Sequence, residues 1–353
     1  MKIYIRSAAA ISAQNTLANP AFLQNVLEYT GTRLKAVEPD YKNYIDPKLI
    51  RRMSHVIKMG VAAAKECLAL GKTEMPGAII TGTAFGCMED TITFLTRIVE
   101  LNEEMLPPTA FIQSTHNTVA AQIALMLKCH SYNSTFVHKG VSFENALFDA
   151  VMLLKEQEAD TVLVGGIDEM VDTSFKVFTR LGLYKRSPIS NIELYKQRSK
   201  GTIGGEGAAF TLLSNNSSPE DLAELTDLKT LYKPADLHAA ITAFLRKNGL
   251  VAEDLSLVIA GKNGDLANDA IYENLEQSLF KSNTTGVYKH LCGEYPTSSS
   301  FALWLAANIL KRGEVPATVL QGANQPQKAL KNILYYNHYQ GKYHSLMLVS
   351  ATE

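Results

Sequence analysis

STFVHKGVSFENALFDAVMLLKEQEADTVLVGG, residues 134–166, decides the fold. STFVH reads as a strand, SFENALFDAVMLLKEQ as a helix and TVLVGG as a second strand. The helix is apolar nearly all round, at Ala146, Leu147, Phe148, Ala150, Val151, Leu153 and Leu154. Such a helix is buried between layers rather than lying on a surface. Strand, helix and strand joined by short glycine turns point to a mostly parallel α/β sheet.

The upstream sequence extends the pattern. MKIYIRSAAA (1–10) reads as a buried first strand; Arg6 interrupts its apolar run, and the apolar stretch beyond Arg6 is too short for a signal-peptide core. Residues 20–50 form a Pro- and Asp-punctuated surface excursion. RRMSHVIKMGVAAAKECLAL (51–70) carries Val56, Met59, Ala63, Cys67 and Leu70 at helical spacing and stops at Gly71. GAIITGT (77–83) is a short buried strand. EDTITFLTRIVEL (89–101) is a helix broken by Pro107-Pro108, and NTVAAQIALML (117–127) a helix with Asn117 at its N-cap.

Downstream of Gly166 the chain reads as irregular and polar to Ser190. GTIGGEGAAFTLL (201–213) is a glycine-rich turn feeding a strand, and 214–235 a polar linker. A second cycle comes next: helix 236–250, strand 255–261, helix 269–280, strand 284–290 and buried helix 298–313. VPATVLQG (315–322) and YHSLMLVSA (343–351) close the chain as strands. Two halves, 1–215 and 216–353, thus repeat one pattern. Each holds a long apolar helix opening on small hydroxyl residues, Ser142 in one and Ser298, Ser299 and Ser300 in the other.

The totals narrow the function. A single core stops growing near ~250–300 residues, so 353 residues imply two lobes or a two-part domain. A net charge of −1 gives no reason to expect nucleic acid or an anionic membrane as main partner. Cys67, Cys87, Cys129 and Cys292 lie far apart, which speaks against a metal site or disulfide framework and fits a reducing cytoplasm. No apolar run reaches the ~18 residues of a membrane span. The glycines of GTIGGEG lead into a strand rather than a helix, so no phosphate cradle is read there and no cofactor is expected.

In order and spacing, RRMSHVIKMGVAAAKECL, GAIITGTAFGCMED, the segment from PPTAFIQSTHN to VLVGGIDE, and GTIGGEGAAFTLL resemble the β-ketoacyl synthase family. The resemblance implies the duplicated thiolase fold, an α/β chain of five layers, α/β/α/β/α, with the helices near Ser142 and Ser298 at its centre. An active ketosynthase needs a cysteine at the start of a buried helix, where the helix dipole favours the thiolate. It also needs two histidines, or a histidine and an asparagine, to assist decarboxylation and stabilise an enolate. Here the cysteine position falls on Gly140 or Val141. The histidine of the family's HGTGT turn falls on Gly261, Lys262 or Asn263, and the second imidazole on Glu294. Lys289 matches the family's lysine, and the glycine-rich C-terminal loop is reduced to the region of Gly341.

Intact scaffold with altered catalytic positions is similar to a chain-length factor, a ketosynthase-like subunit that pairs with an active ketosynthase. HKGVSFENAL and GEYPTSSSFALWLA are similar to the aryl-polyene or flexirubin pigment subunits. The implied partners are a catalytic ketosynthase and an acyl carrier protein, with a homodimer as fallback. STFVH is the expected edge strand of that interface, and Phe111, Ile112 and Gln113 are candidates for the wall of an acyl tunnel. The alternative is an autonomous 3-oxoacyl-[acyl carrier protein] synthase or acyltransferase with a relocated nucleophile at Cys87, Cys292 or Ser142, the last with His138 as base. The plainer readings are small buried residues for the two cysteines, a helix cap for Ser142, a structural histidine for His116 and a structural carboxylate for Glu206. A scaffold that holds the carrier protein without setting chain length also stays open, whereas a decarboxylase lacks both the glutamine and the imidazoles it would use.

Overall fold

A computed structural model describes every residue except 107, 198, 323, 324, 327 and 353. Pro107 of the expected Pro-Pro helix break therefore lies outside the described residues. The first half begins with β1 (Tyr4–Ile11), α1 (His55–Leu70), β2 (Ala78–Gly82), α2 (Met88–Glu100) and α3 (Pro108–Gln113). It continues with α4 (Thr118–Leu127), β3 (Tyr132–Phe136), α5 (Ser142–Lys155), β4 (Thr161–Asp168), α6 (Asp172–Arg180) and β5 (Gly207–Ser214). The second runs through β6 (Ala223–Tyr232), α7 (Leu237–Lys247), β7 (Leu257–Ala260), α8 (Leu266–Gln277) and β8 (Thr285–Val287). It ends with α9 (Ser299–Arg312), β9 (Asn332–Tyr339) and β10 (Tyr343–Ser350).

The strand order gives the duplication directly. The first half is ordered β3-β2-β4-β5-β1 and the second β8-β7-β9-β10-β6, so each strand lies where its counterpart five numbers earlier does. In both halves three parallel strands are followed by two antiparallel ones. The sheet is therefore mixed rather than mostly parallel. The halves join at β1 and β6, which pair only at Tyr4–Glu224 and Ile5–Ala223.

Period-two alternation sorts the side chains into layers. Ala78, Ile80, Val162 and Val164 of the first half, and Leu257, Ile259, Ile333, Tyr335, Met347 and Val349 of the second, face one central core. That core holds α5 and α9, and α9 is buried on nearly every side. Ile79, Leu163, Phe210 and Leu212 face outward against α1 and α4. Val258, Leu334, Tyr336 and Leu346 face outward against α7 and α8. The result is five layers, α/β/α/β/α. Gly82 lets the start of α5 rest on the end of β2, since a Cβ there would lie 2.5 Å from the Ser142 carbonyl carbon.

Several expectations need correction. Residues 214–235 are not a linker: Ala223, Leu225 and Leu228 turn inward from β6, and the intervening polar residues disguise the strand. The polar stretch after Gly166 contains α6, an amphipathic helix with no fully buried residue. VPATVLQG is not a strand; Val319 N–H closes a turn onto the Pro316 carbonyl, and only a bridge from Leu320 to Gly286 remains. ILYYNHY was not foreseen as a strand, yet it is β9, the first arm of a hairpin with β10. Helix α1 starts at His55 rather than Arg51.

Candidate functional site

The turn from β3 to α5 is His138-Lys139-Gly140-Val141, with Lys139 in the left-handed region (φ 51°). Ser142 Oγ accepts the His138 N–H at 2.7 Å and donates to the Lys139 carbonyl at 2.8 Å. It therefore ties the turn and does not cap α5, contrary to expectation. The His138 ring turns aside, with Nδ1 3.1 Å from the Asn145 amide and its edge toward Tyr343. Gly140 is buried beneath Tyr339: a Cβ at 140 would lie 2.4 Å from Tyr339 Cγ. Tyr339 is set there by the end of β9 and the left-handed pair Gln340 and Gly341 just after it.

Opposite this turn the second half contributes a charged network. Glu294 Oε2 accepts from Lys289 Nζ at 2.7 Å and from Asn263 Nδ2 at 2.6 Å. Lys289 Nζ also donates to Asn337 Oδ1 at 3.2 Å, and the Tyr272 hydroxyl donates to the same oxygen at 3.1 Å. The Asp269 carboxylate accepts the N–H groups of Asn263 and Gly264 at 2.8 and 2.9 Å and fixes that turn. Burial pushes the Asp269 pKa up to about 6 against these bonds. The three candidates at 261–263 now separate. A Cβ at Gly261 would strike Asn337 Oδ1 at 2.0 Å, and Lys262 pairs away with Glu276 at 2.6 Å. Asn263 alone joins Glu294.

Between the two sides lies a cavity of about 80 Å³ whose walls include Phe85, Phe178, Tyr184, Glu294, His338 and Tyr339. Drug-sized ligand sites run to ~300–1,000 Å³, so this cavity is smaller than such a site needs. His338 went unremarked in the sequence, and it is an imidazole in the wall. Both of its nitrogens are engaged, Nδ1 accepting from Gly341 N–H at 3.1 Å and Nε2 donating to the Asn268 carbonyl at 3.0 Å. Burial lowers its pKa to about 4, so it is neutral.

Residues 32–192 match the family model for the beta-ketoacyl synthase N-terminal domain. A chain of the ishigamide ketosynthase/chain length factor superposes with a TM-score of 0.82 at 16% identity, covering 100% of this chain and 99% of that one. A β-ketoacyl synthase from Burkholderia phymatum STM815 gives 0.79 at 15% identity, with 100% of both chains covered. A chain from the complex of a ketosynthase (ApeO) with its chain length factor (ApeC) from Xenorhabdus doucetiae gives 0.80 at 16%, covering 100% and 98%. The chain has the β-ketoacyl synthase fold. No curated protein sequence matches it.

Within the ketosynthase fold the remaining candidates are scattered. Cys87 precedes α2 and Cys292 ends a single helical turn, and both are fully buried. Burial raises both thiols well above the ordinary range, helped by Glu169 at Cys87. Neither they nor Ser142 line the cavity. Phe111 and Ile112 are exposed on α3, Phe111 against Phe94 and Gln113 bonded to the Arg52 carbonyl. His116 is exposed beside Gly86. Glu206 accepts from the N–H groups of Ala36 and Met170, the structural carboxylate expected. β3 ends the sheet. Among the described residues no His, Cys, Asp and Glu group is suited to a metal ion, and no helix is long and apolar enough to cross a membrane.

Proposed function

We propose that this chain is a catalytically degenerate β-ketoacyl synthase that serves as a chain-length-factor-like partner of an active ketosynthase. Its setting would be cytoplasmic fatty-acid or polyketide assembly, of the aryl-polyene pigment type, with acyl carrier protein delivering the chain. The halves 1–215 and 216–353 would be the duplicated units of that ancestry.

The observation carrying this reading is the Tyr339 ring over Gly140. Gly140, one of the two residues on which the nucleophile position falls, has no side chain, and the space a side chain there would need is filled. Across the cavity the Asn263–Glu294–Lys289 network supplies a carboxylate that would repel a malonyl carboxylate, and the one imidazole in the wall has no free nitrogen. Deep burial of Cys87 and Cys292 weighs against a relocated nucleophile.

Intact-protein mass spectrometry after incubation with acyl and malonyl thioesters tests it. The expected result is unchanged mass and no decarboxylated product. A stoichiometric adduct abolished by Cys87→Ala, Cys292→Ala or Ser142→Ala would overturn the reading in favour of an autonomous enzyme.

A further inference from the structure

Around His55, the first residue of α1, the fold gathers an unusual number of carboxyl groups. His55 Nδ1 lies 3.1 Å from Glu38 Oε1, and Nε2 lies 3.3 Å from Glu206 Oε1, within ion-pair range but off the line of a hydrogen bond. Glu169, at the end of β4, also acts on the imidazole. The first turn of α2 is bound into the same cluster. Glu89 Oε2 accepts the His55 backbone N–H at 3.3 Å, and Glu89 N–H donates to Glu169 Oε1 at 2.9 Å. The other titratable groups here are Asp90 on α2, Cys87 just before it, Tyr41 in the turn after Glu38, and Lys58, which sits over the Tyr41 ring. Five segments of the first half therefore meet around one residue, His55.

Helix α2 depends on this root. None of its residues is fully buried. Leu95 and Val99 are 55% and 77% exposed, and the first two turns lean on α3 and the residue after it through Phe94–Phe111 and the Thr91 hydroxyl to the Ser114 carbonyl. Together α2 and α3 form a surface flap with little core of its own. A segment with few buried apolar contacts opens locally well before the whole molecule unfolds.

We propose that His55 is a pH-sensitive clamp on this flap: the imidazolium holds Glu38 and Glu206 together beside Glu169 at the root of α2, and its neutralisation loosens that root. This rests on the geometry of the first half and is independent of the proposed function. The direction of titration is set by the surroundings. Burial opposes charge on His55, but Glu206, Glu38 and Glu169 outweigh it and hold the imidazole pKa above its ordinary 6.5. Burial raises the Glu169 pKa to about 7. As pH rises, His55 loses its positive charge on passing its raised folded pKa, and Glu169 gains a negative one near 7. Both changes leave Glu169 and Glu206 repelling each other. The clamp is therefore fully closed below about pH 6.5 and opens as pH rises through the folded value.

Hydrogen–deuterium exchange from pH 6 to 8.5, corrected for intrinsic rates, reads the flap directly. Amides of 89–100 should lose protection at least about five-fold relative to those of α5 across this range. Glu38→Gln removes one partner from the exposed side and should move the midpoint to lower pH. His55→Gln should give weaker protection than wild type in 89–100 at pH 6, with only the Glu169 ionisation left to change it as pH rises. Protection that stays constant with pH in the wild type, or a midpoint unmoved in Glu38→Gln, overturns the clamp whether or not the His55 variant folds.

Discussion

Glu144 shows how a single residue can be both well placed and costly. It stands in the first turn of α5, fully buried, with neither carboxylate oxygen hydrogen-bonded; the Ser299 hydroxyl nearby is unpaired as well. Burial raises its pKa to about 7, and Ser299, Ser345 and Lys289 pull it back only in part. A carboxyl whose folded pKa is raised above its ordinary value favours the fold most below about 4.5 and loses stability as pH rises to about 7. Glu144→Gln keeps the shape and removes the charge. It should be more stable than wild type by about 3 kcal/mol at pH 8 and close to it at pH 4.5. Urea unfolding at the two pH values checks this, and equal differences at both would contradict it. The same residue marks the limit of sequence reading at a site. Gly140, Asn263 and Glu294 could be singled out by motif order alone, and the structure seats Gly140 under Tyr339 and joins Asn263 to Glu294. Tyr339 and His338 could not, because their importance comes from a hairpin that returns to the turn from nearly 200 residues away in the chain.

At the scale of elements, legibility tracks periodicity. Helices α5 and α9 and strands β2, β4 and β5 were read correctly because long apolar runs leave few alternatives. β6 was missed because its inward residues are separated by Glu224, Thr226, Asp227 and Lys229, and a bulge in its pairing with β10 shifts the alternation. β9 was missed because tyrosine, asparagine and histidine look polar in sequence, although Tyr335 and Tyr336 are each 1% exposed. The assignment of β6 has a direct test. Leu225 lies in the central core at 3% exposure. Leu225→Ala should destabilise the protein by about 2–5 kcal/mol, the cost of a buried leucine truncated in a packed core. A residue in a solvent-exposed linker would change stability by less than about 0.5 kcal/mol. Thermal or urea unfolding distinguishes the two.

Among the described residues, one edge of the sheet is open on the first half. β3 pairs with β2 on one side only, and β8 on the other half has the Leu320 bridge beside it. Exposed edges are templates for pairing, and natural proteins seldom leave them bare. On and beside β3 lie Leu125, Tyr132 and Val137, between 47% and 71% exposed. We therefore place the proposed partner on residues 111–138, burying at least the ~1,000 Å² of a specific interface. Register decides which substitution tests it. The Phe136 carbonyl accepts Thr83 N–H at 3.1 Å, so the backbone of Phe136 faces β2, and by alternation that of Thr135 faces the open edge. Phe136→Pro would damage the inner ladder instead. Thr135→Pro removes an edge donor while leaving β2 paired. The variant should keep the wild-type far-ultraviolet dichroism. It should run as a monomer in light scattering and lose a co-expressed ketosynthase in affinity capture. A folded Thr135→Pro protein that still dimerises and still retains the ketosynthase would put the interface elsewhere, and the chain-length-factor reading would then rest on the site around Gly140 and Glu294 without an interface behind it.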